Sequence, residues 1–335
     1  MKNKDKKTKE LNLEDTIQGI ESKFGKGSIM LLESDPQPIE SISTGSMALD
    51  TATGIGGIPK GRITEIFGSE SSGKTTCALH IIAEAQKQDS KKSVFVDTEN
   101  SLDAEYAQKL GVDFSRLYVS QPNNAEEALN IIEDLIRSNE LSVVVLDSVA
   151  ALVPSVELSG AMGDANVGII ARLMSQAMRK LTPLLAKSDT ALIFINQLRD
   201  KIGVMFGDPS TTTGGRALKF YASMRLDIRR IGALKAGETV IGNRTRVKVV
   251  KNKLAPPFRI AEFDLVYGKG FSKENEIIDL ALQKKILKQK GAWFEYNGEN
   301  LAQGKDNLSK LLASNSELMK EIYEKVKEPT EQNQD

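Results

Sequence analysis

Arg62-Ile63-Thr64-Glu65-Ile66-Phe67-Gly68-Ser69-Glu70-Ser71-Ser72-Gly73-Lys74-Thr75-Thr76 decides how the rest of the chain is to be read. Arg62 to Phe67 reads as a strand, and Thr75 to Gln88 reads as a helix. Between them, Gly68 to Thr75 fits the pattern G-x-x-x-x-G-K-[ST]. In that setting the glycines let backbone N–H groups wrap a phosphate chain, and the helix N-terminus adds positive potential. Lys74 is then placed to reach β- and γ-phosphates and Thr75 to ligate Mg²⁺, with Thr76 counted in the same nucleotide-contacting run. The plain alternative is a glycine turn with an incidental lysine. It gives no reason for a strand before the loop and a helix after it.

Outward from this loop, from about Ile39 to Tyr267, strands and helices alternate. Ser93 to Asp97, Leu141 to Leu146 and Ala191 to Ile195 read as short apolar strands, and Ala125 to Ser138 and Ile169 to Ala186 as helices. Continuous apolar strands between helices imply an α/β fold with a mostly parallel sheet covered on both faces, a P-loop NTPase core. Arg225 to Arg230 and Arg244 to Val250 alternate polar and apolar residues without a helix between them, which suggests an antiparallel extension. Asp147 ends the strand Val143-Val144-Val145-Leu146, where an acid beside the phosphate loop can hold the Mg²⁺ shell. Glu99 follows Val94-Phe95-Val96-Asp97-Thr98; a carboxylate there either polarises an attacking water or serves as a capping or surface acid. Gln197 ends the strand Phe194-Ile195-Asn196, where an amide could sense a γ-phosphate. Guanine specificity usually uses an Asn-Lys-x-Asp element. Asn252-Lys253-Leu254-Ala255 lacks the terminal acid, so adenine, and hence ATP, is favoured.

At the N-terminus Asn12 can cap a helix with Leu13, Ile17, Ile20 and Phe24 on one face, ended by Gly25. Its apolar partner is either the chain's own core or a neighbouring subunit. After Gly268-Lys269-Gly270 comes a small α+β module: a helix through Ile277 to Leu282, a hairpin at Asn297-Gly298, and a helix ending near Val326. The expected organisation is residues 1–36 as helix and linker, 37–270 as ATPase core, 271–327 as the small domain and 328–335 as a disordered tail. The 45 Lys and Arg balance 45 Asp and Glu, so global charge names no nucleic-acid partner and any basic surface must be local. Cys77 is the only cysteine, so no intrachain disulfide can form and a reducing cytoplasm is the natural home. No apolar run approaches the roughly 18 residues of a membrane span, so no membrane is involved, and the lysine-rich start lacks an apolar signal core. His80 is the only histidine, which argues against histidine metal sites and Ser-His-Asp chemistry. Cys77 and His80 both read as helix packing.

Taken together, these segments resemble the RecA family of bacterial DNA strand-exchange ATPases. Beyond the phosphate loop the likeness is carried by Gly57-Ile58-Pro59-Lys60-Gly61-Arg62, Met174-Ser175-Gln176-Ala177-Met178-Arg179-Lys180, Phe194-Ile195-Asn196-Gln197, Ile202-Gly203-Val204-Met205-Phe206-Gly207, Thr212-Thr213-Gly214-Gly215 and Val247-Lys248-Val249-Val250-Lys251-Asn252-Lys253. It runs from about residue 10 to 325. The resemblance implies that Glu99 activates water, with Lys74 and Gln197 also catalytic, and that Gln197 couples the γ-phosphate to a DNA-binding loop. It implies that Asp103 and Tyr106 contact adenine, and that Lys251 and Lys253 reach a neighbour's ATP. Phe220 would be an interface aromatic and the residue 13–25 helix an arm docking on the adjacent subunit. It further implies two DNA-contacting loops. The first, Glu157 to Val167, contains Met162 and Gly163; the second, Leu198 to Thr213, contains Arg199, Lys201, Met205 and Phe206 and is followed by Gly214. Arg172 and Arg179, seven apart on one helix face, match backbone-contacting positions.

The implied partners are single-stranded DNA, homologous double-stranded DNA, further copies of the chain in a helical filament, and a LexA-type repressor in the SOS response. The implied coupling is an order–disorder switch in residues 198–213. Loops holding Gly, Met and Phe with Arg and Lys suit this physically, since cations meet phosphates and apolar side chains wedge between bases. Without the family they read first as surface loops with incidental apolar residues. Three departures stand out: Ser69 where the family usually has proline, a less acidic first loop, and only a mildly acidic tail. Two rival readings are a ring helicase on the same ATPase core, and a nucleotide-gated scaffold without useful turnover.

Overall fold

The computed structural model describes residues 12–31, 39–161, 168–200 and 210–328. It divides into two units, residues 1–38 and 39–335. In the first, α1 (Leu13–Phe24) is capped by Asn12, whose side chain accepts from the Asp15 N–H at 2.7 Å, and it stops at Gly25 with φ 98°. None of its residues is buried, and Leu13 and Phe24 are 73% and 67% exposed.

In the second unit, β1 (Ser41–Ile42) and β2 (Ile58–Pro59) pair around α2 (Met47–Thr53). Then β3 (Ile63–Gly68) enters α3 (Lys74–Gln88), followed by β4 (Lys92–Asp97), α4 (Ala104–Lys109), β5 (Leu117–Ser120), α5 (Ala125–Ser138) and β6 (Leu141–Asp147). Next come α6 (Ser155–Ser159), α7 (Ile169–Leu185), β7 (Ala191–Asp200), β8 (Ser210–Thr212) and α8 (Ala217–Tyr221). The strands β9 (Met224–Ala236), β10 (Thr239–Asn252), β11 (Ile260–Val266) and β12 (Gly270–Phe271) follow without helices between them. The chain closes with α9 (Lys273–Gln283), β13 (Lys288–Lys290), β14 (Trp293–Tyr296), β15 (Glu299–Gln303), α10 (Lys305–Ser314) and α11 (Ser316–Lys327).

The main sheet has the order β12-β11-β10-β9-β3-β7-β6-β4-β5. It is parallel from β5 through β9 and antiparallel from β9 through β12, so the expected extension is present. Strand alternation explains why both faces need helices. Val143, Val145, Ile193 and Ile195 pack with α3, whereas Val144, Leu146, Leu192 and Phe194 pack with α5 and α7. Cys77 is fully buried in the first core, and burial pushes its thiol up to about 12. A third core joins Ile278, Ala281, Phe294, Leu308 and Ile322 of the terminal helices and the small sheet. There the turn at Asn297 and Gly298, both at positive φ, closes the β14–β15 hairpin as its Asn-Gly pair demands.

Two expectations need correcting. The segment Leu198 to Thr213 is not a loop at its ends. Leu198, Arg199 and Asp200 continue β7 and pair with Thr212, Thr211 and Ser210 of β8, because three β-branched or small residues offer a returning strand. Likewise the segment Glu157 to Val167 begins inside α6, which follows Pro154 at its N-cap. Met162, Gly163, Lys201, Met205 and Phe206 lie outside the described residues.

Candidate nucleotide-binding site

The register of the parallel strands brings the functional residues to one sheet edge. Gly68 of β3 lies opposite Gln197 of β7, and Asp97 of β4 lies opposite Asp147 of β6. Ligands of open parallel sheets bind in the crevice outside these carboxyl ends. Between β3 and α3 the backbone turns through Ser71 at φ 55° and Gly73 at φ 97°. A Cβ on Gly68 would lie 2.1 Å from the Ile228 carbonyl oxygen, and one on Gly73 would lie 2.5 Å from Leu265 Cδ1. Only glycine therefore lets the loop lie so close to β9 and β11.

The loop fits a phosphate chain on three counts. The N-terminus of α3 has no side-chain cap and no acid in its first turn, so its N–H groups and positive dipole end are left for a ligand. Lys74 Nζ donates to the Ser69 carbonyl at 2.7 Å, which holds the ammonium over the loop. Burial lowers its pKa, opposed by Asp147, Glu99 and Glu70. Among the described residues, the buried Ser72 hydroxyl has no hydrogen-bond partner.

Thr75 Oγ1 donates to Asp147 Oδ2 at 2.6 Å, which pairs a hydroxyl with a carboxylate as a hard divalent cation requires. Burial raises the Asp147 carboxyl to about 6; Glu99 and Asp97 add to the rise, while Thr75 and Lys74 oppose it. Asp147 and Thr75 suit Mg²⁺.

Glu99 and Gln197, 98 positions apart in the chain, meet here: Gln197 Nε2 donates to Glu99 Oε1 at 3.0 Å. The same oxygen accepts from Ser148 Oγ, the residue after Asp147. Asp97, 1% exposed, accepts from the Ser101 and Leu102 N–H groups at 3.2 and 3.1 Å and so shapes the turn that carries Glu99. Asp103 caps α4 by accepting from the Tyr106 N–H at 3.0 Å, and Tyr106 Oη lies 3.1 Å from Thr76 Oγ1. A cleft of about 350 Å³ extends from Ser71–Thr76 past Tyr106 to Asn243, Leu265, Tyr267 and Gly268. A larger cavity of about 780 Å³ beside α2, α9 and α11 touches none of the phosphate-loop residues.

Ser148, Asn243, Leu265, Tyr267 and Gly268 escaped the sequence reading. Four of them come from β10, β11 and the turn after β11, where no motif marks a ligand wall.

Lys251 and Lys253 are not at this loop. Lys251 lies opposite Arg225, which lies opposite Glu65, three residues before Gly68. Their ammonium groups hold the C-terminal end of α8, with Lys251 donating to the Lys219 and Phe220 carbonyls at 2.7 and 2.8 Å, and Lys253 to Phe220 at 3.3 Å. Burial, with Lys253 and Arg225 nearby, lowers Lys251 to about 8. Phe220 is 70% exposed. Arg172 and Arg179 are exposed on α7 and Arg199 is exposed on β7, while Thr213 and Gly214 stand where the chain returns from β8.

The sheet and site define a P-loop nucleotide-binding ATPase core with an antiparallel extension and a small terminal module. The family model described as RecA N-terminal domain matches residues 11–272, and that described as RecA C-terminal domain matches residues 275–331. The Protein RecA of Frankia alni is 58% identical over 317 residues, covering 94% of this chain and 91% of that one. The Protein RecA of Chlorobaculum parvum is 58% identical over 322 residues, covering 96% and 92%. A crystal structure of the RadB recombinase shares the fold, with a TM-score of 0.53 and 22% identity over 69% of this chain and 98% of that one. The chain belongs to the RecA family. It is accordingly a DNA-dependent ATPase of homologous recombination and DNA repair. Among the described residues, no helix is long and apolar enough to cross a membrane.

Proposed function

We propose that this chain binds ATP with Mg²⁺ on Gly68–Thr76, Asp103, Tyr106 and Asp147, forms a cytoplasmic helical filament on single-stranded DNA, and pairs it with homologous duplex. The observation that carries the coupling is the Gln197–Glu99 hydrogen bond, which joins a water-orienting carboxylate to the root of the β7–β8 hairpin. Glu99 Oε1 is engaged by Gln197 and Ser148, which leaves Oε2 to accept a proton from the attacking water. Lys74 and the α3 N-terminus hold the transferred phosphate's negative charge. Thr75 and Asp147 would hold Mg²⁺, which would supply positive charge against the charge that develops on the transferred phosphate.

A γ-phosphate drawing the Gln197 amide from Glu99 would free the carboxylate and shift the β7–β8 pair, and Arg199, Lys201, Met205, Phe206, Thr213 and Gly214 would contact DNA. Met162, Gly163, Arg172 and Arg179 supply further DNA contacts. Lys251 and Lys253, held on α8 at the other end of β3, serve the neighbour's nucleotide, and α1 docks on the neighbouring subunit with its apolar stripe. A LexA-type repressor is proposed as a further partner, and residues 1–36, 37–270, 271–327 and 328–335 are proposed as arm, core, small domain and tail.

The test is Gln197→Ala. ATP should no longer tighten binding of a labelled single-stranded oligonucleotide; tightening equal to wild type sinks the coupling. Electron microscopy with ATP and single-stranded DNA separates the rivals, since continuous helical filaments support strand exchange, and closed rings support a helicase.

A further inference from the structure

Glu65 lies in the central strand β3 with no exposed surface, and none of the chemistry above uses it. A buried ion pair is a costly way to stabilise a sheet, because desolvating two charges cancels most of their attraction and apolar replacements are often as stable. Its partners indicate a different use. Oε2 accepts from Arg225 Nε at 2.5 Å, and Oε1 accepts from Asn196 Nδ2 at 2.9 Å. Asn196 is itself fully buried, and the rest of its amide is spent on the hairpin root. Nδ2 also donates to the Thr213 carbonyl at 3.1 Å, while Oδ1 accepts from Thr213 Oγ1 at 2.5 Å and from the Gln197 N–H at 2.9 Å. One amide therefore holds the strand that leaves the sheet at Gln197 and the chain that returns at Thr213.

An amide can present either end, and its two orientations differ only in what they meet. A carboxylate only accepts. Facing Glu65, the Asn196 amide must point Nδ2 at the acid and Oδ1 at Gln197 and Thr213. We propose that Glu65 is a positioning residue for nucleotide–DNA coupling: it fixes the Asn196 amide, which sets Gln197 against Glu99 and ties Thr213 to the same point. Arg225 balances the charge of Glu65 and lies over the Phe67 ring. The inference rests on the reading of Gln197 as the coupling residue.

The test uses the full chain and measures the ratio of single-stranded oligonucleotide affinities with and without ATP. Glu65→Leu/Arg225→Met removes both charges, so no buried charge is orphaned, but it also removes the acceptor that orients Asn196. Its coupling ratio should fall about 10-fold, the scale of one orphaned buried amide N–H. ATP affinity without DNA should stay within about twofold, a split that general loss of structure would not give. Arg225→Lys keeps the carboxylate on Asn196 and should retain the wild-type ratio. If the double variant melts below the assay temperature, Asn196→Ala breaks the contact from the other side and must show the same loss.

Wild-type coupling in the double variant or in Asn196→Ala overturns the proposal. So does equal loss in Arg225→Lys, which would make the cation the requirement. Gln197→Ala in the same assay separates the two ideas: coupling retained there removes the underlying reading, whereas coupling lost there but kept without Glu65 removes only this inference.

Discussion

His80 makes acid stability of the phosphate-loop helix calculable. It sits on α3 with 7% of its surface exposed, stacked on Phe271 with ring centroids 4.1 Å apart. Its Nε2 accepts from the Phe271 N–H at 3.0 Å, and a Cβ on Gly270 would come within 2.2 Å of the same nitrogen. Protonation abolishes the acceptor and places a cation where little water reaches. Burial lowers the pKa from 6.5 to about 4, with Lys273 and Lys87 adding to the fall and Glu84 opposing it. In the unfolded chain the imidazole titrates near 6.5, so on acidification the unfolded state takes the proton first. Stability is therefore unaffected above about pH 7, declines between about 6.5 and 4, and is fully lost by this amount below that window. The two end values correspond to about 3 kcal/mol in total, of which about 2 kcal/mol is lost by pH 5. Urea unfolding of wild type and His80→Gln at pH 7.5 and 5.0 reads the effect, because carboxylate titration is common to both and cancels in the difference. Gln retains an acceptor but does not titrate, so wild type should lose about 2 kcal/mol more than the variant. Equal losses in the two proteins would refute the reasoning.

Glu99→Gln keeps an acceptor for Ser148 and Gln197 but removes the charge that orients water. Phosphate release with single-stranded DNA should fall about 10²- to 10⁴-fold, while ATP binding stays within a few-fold; retained turnover would remove Glu99 from the chemistry. Glu276, 4% exposed on α9, accepts from Ser46 Oγ, from the Met47 N–H at 3.2 Å and from the Ala48 N–H at 3.0 Å, and so caps α2 from the terminal module. Glu276→Ala leaves three donors without an acceptor and should cost about 3 kcal/mol in a denaturant titration; a loss under about 1 kcal/mol would mean that water replaces the cap.

What could be read from the chain follows from how local each signal is. The phosphate loop, the apolar strand before Asp147 and the Asn12 cap are each written within a dozen consecutive residues, and periodicity and sterics alone suffice for them. The ends of the segment 198–213 do not read as strands because Leu198-Arg199-Asp200 has no strand pattern of its own; only pairing with Ser210-Thr211-Thr212 makes it one. Strand order was not readable at all. Glu99 follows β4 and Gln197 lies within β7, and they meet only because β6 lies between those strands and brings Asp147 and the following Ser148 to the same edge. Asn243, Leu265 and Tyr267 reach the cleft only because the antiparallel strands bring them back over the loop, close enough that Leu265 leaves no room for a side chain on Gly73. Glu65 was hidden for the opposite reason. An acid in an apolar strand looks like a break in the pattern until Arg225 and Asn196, 160 and 131 positions further along, are found bonded to it. A buried charge inside a run of Ile and Phe is therefore the place where this sequence departs from what folding requires and serves what the hairpin requires.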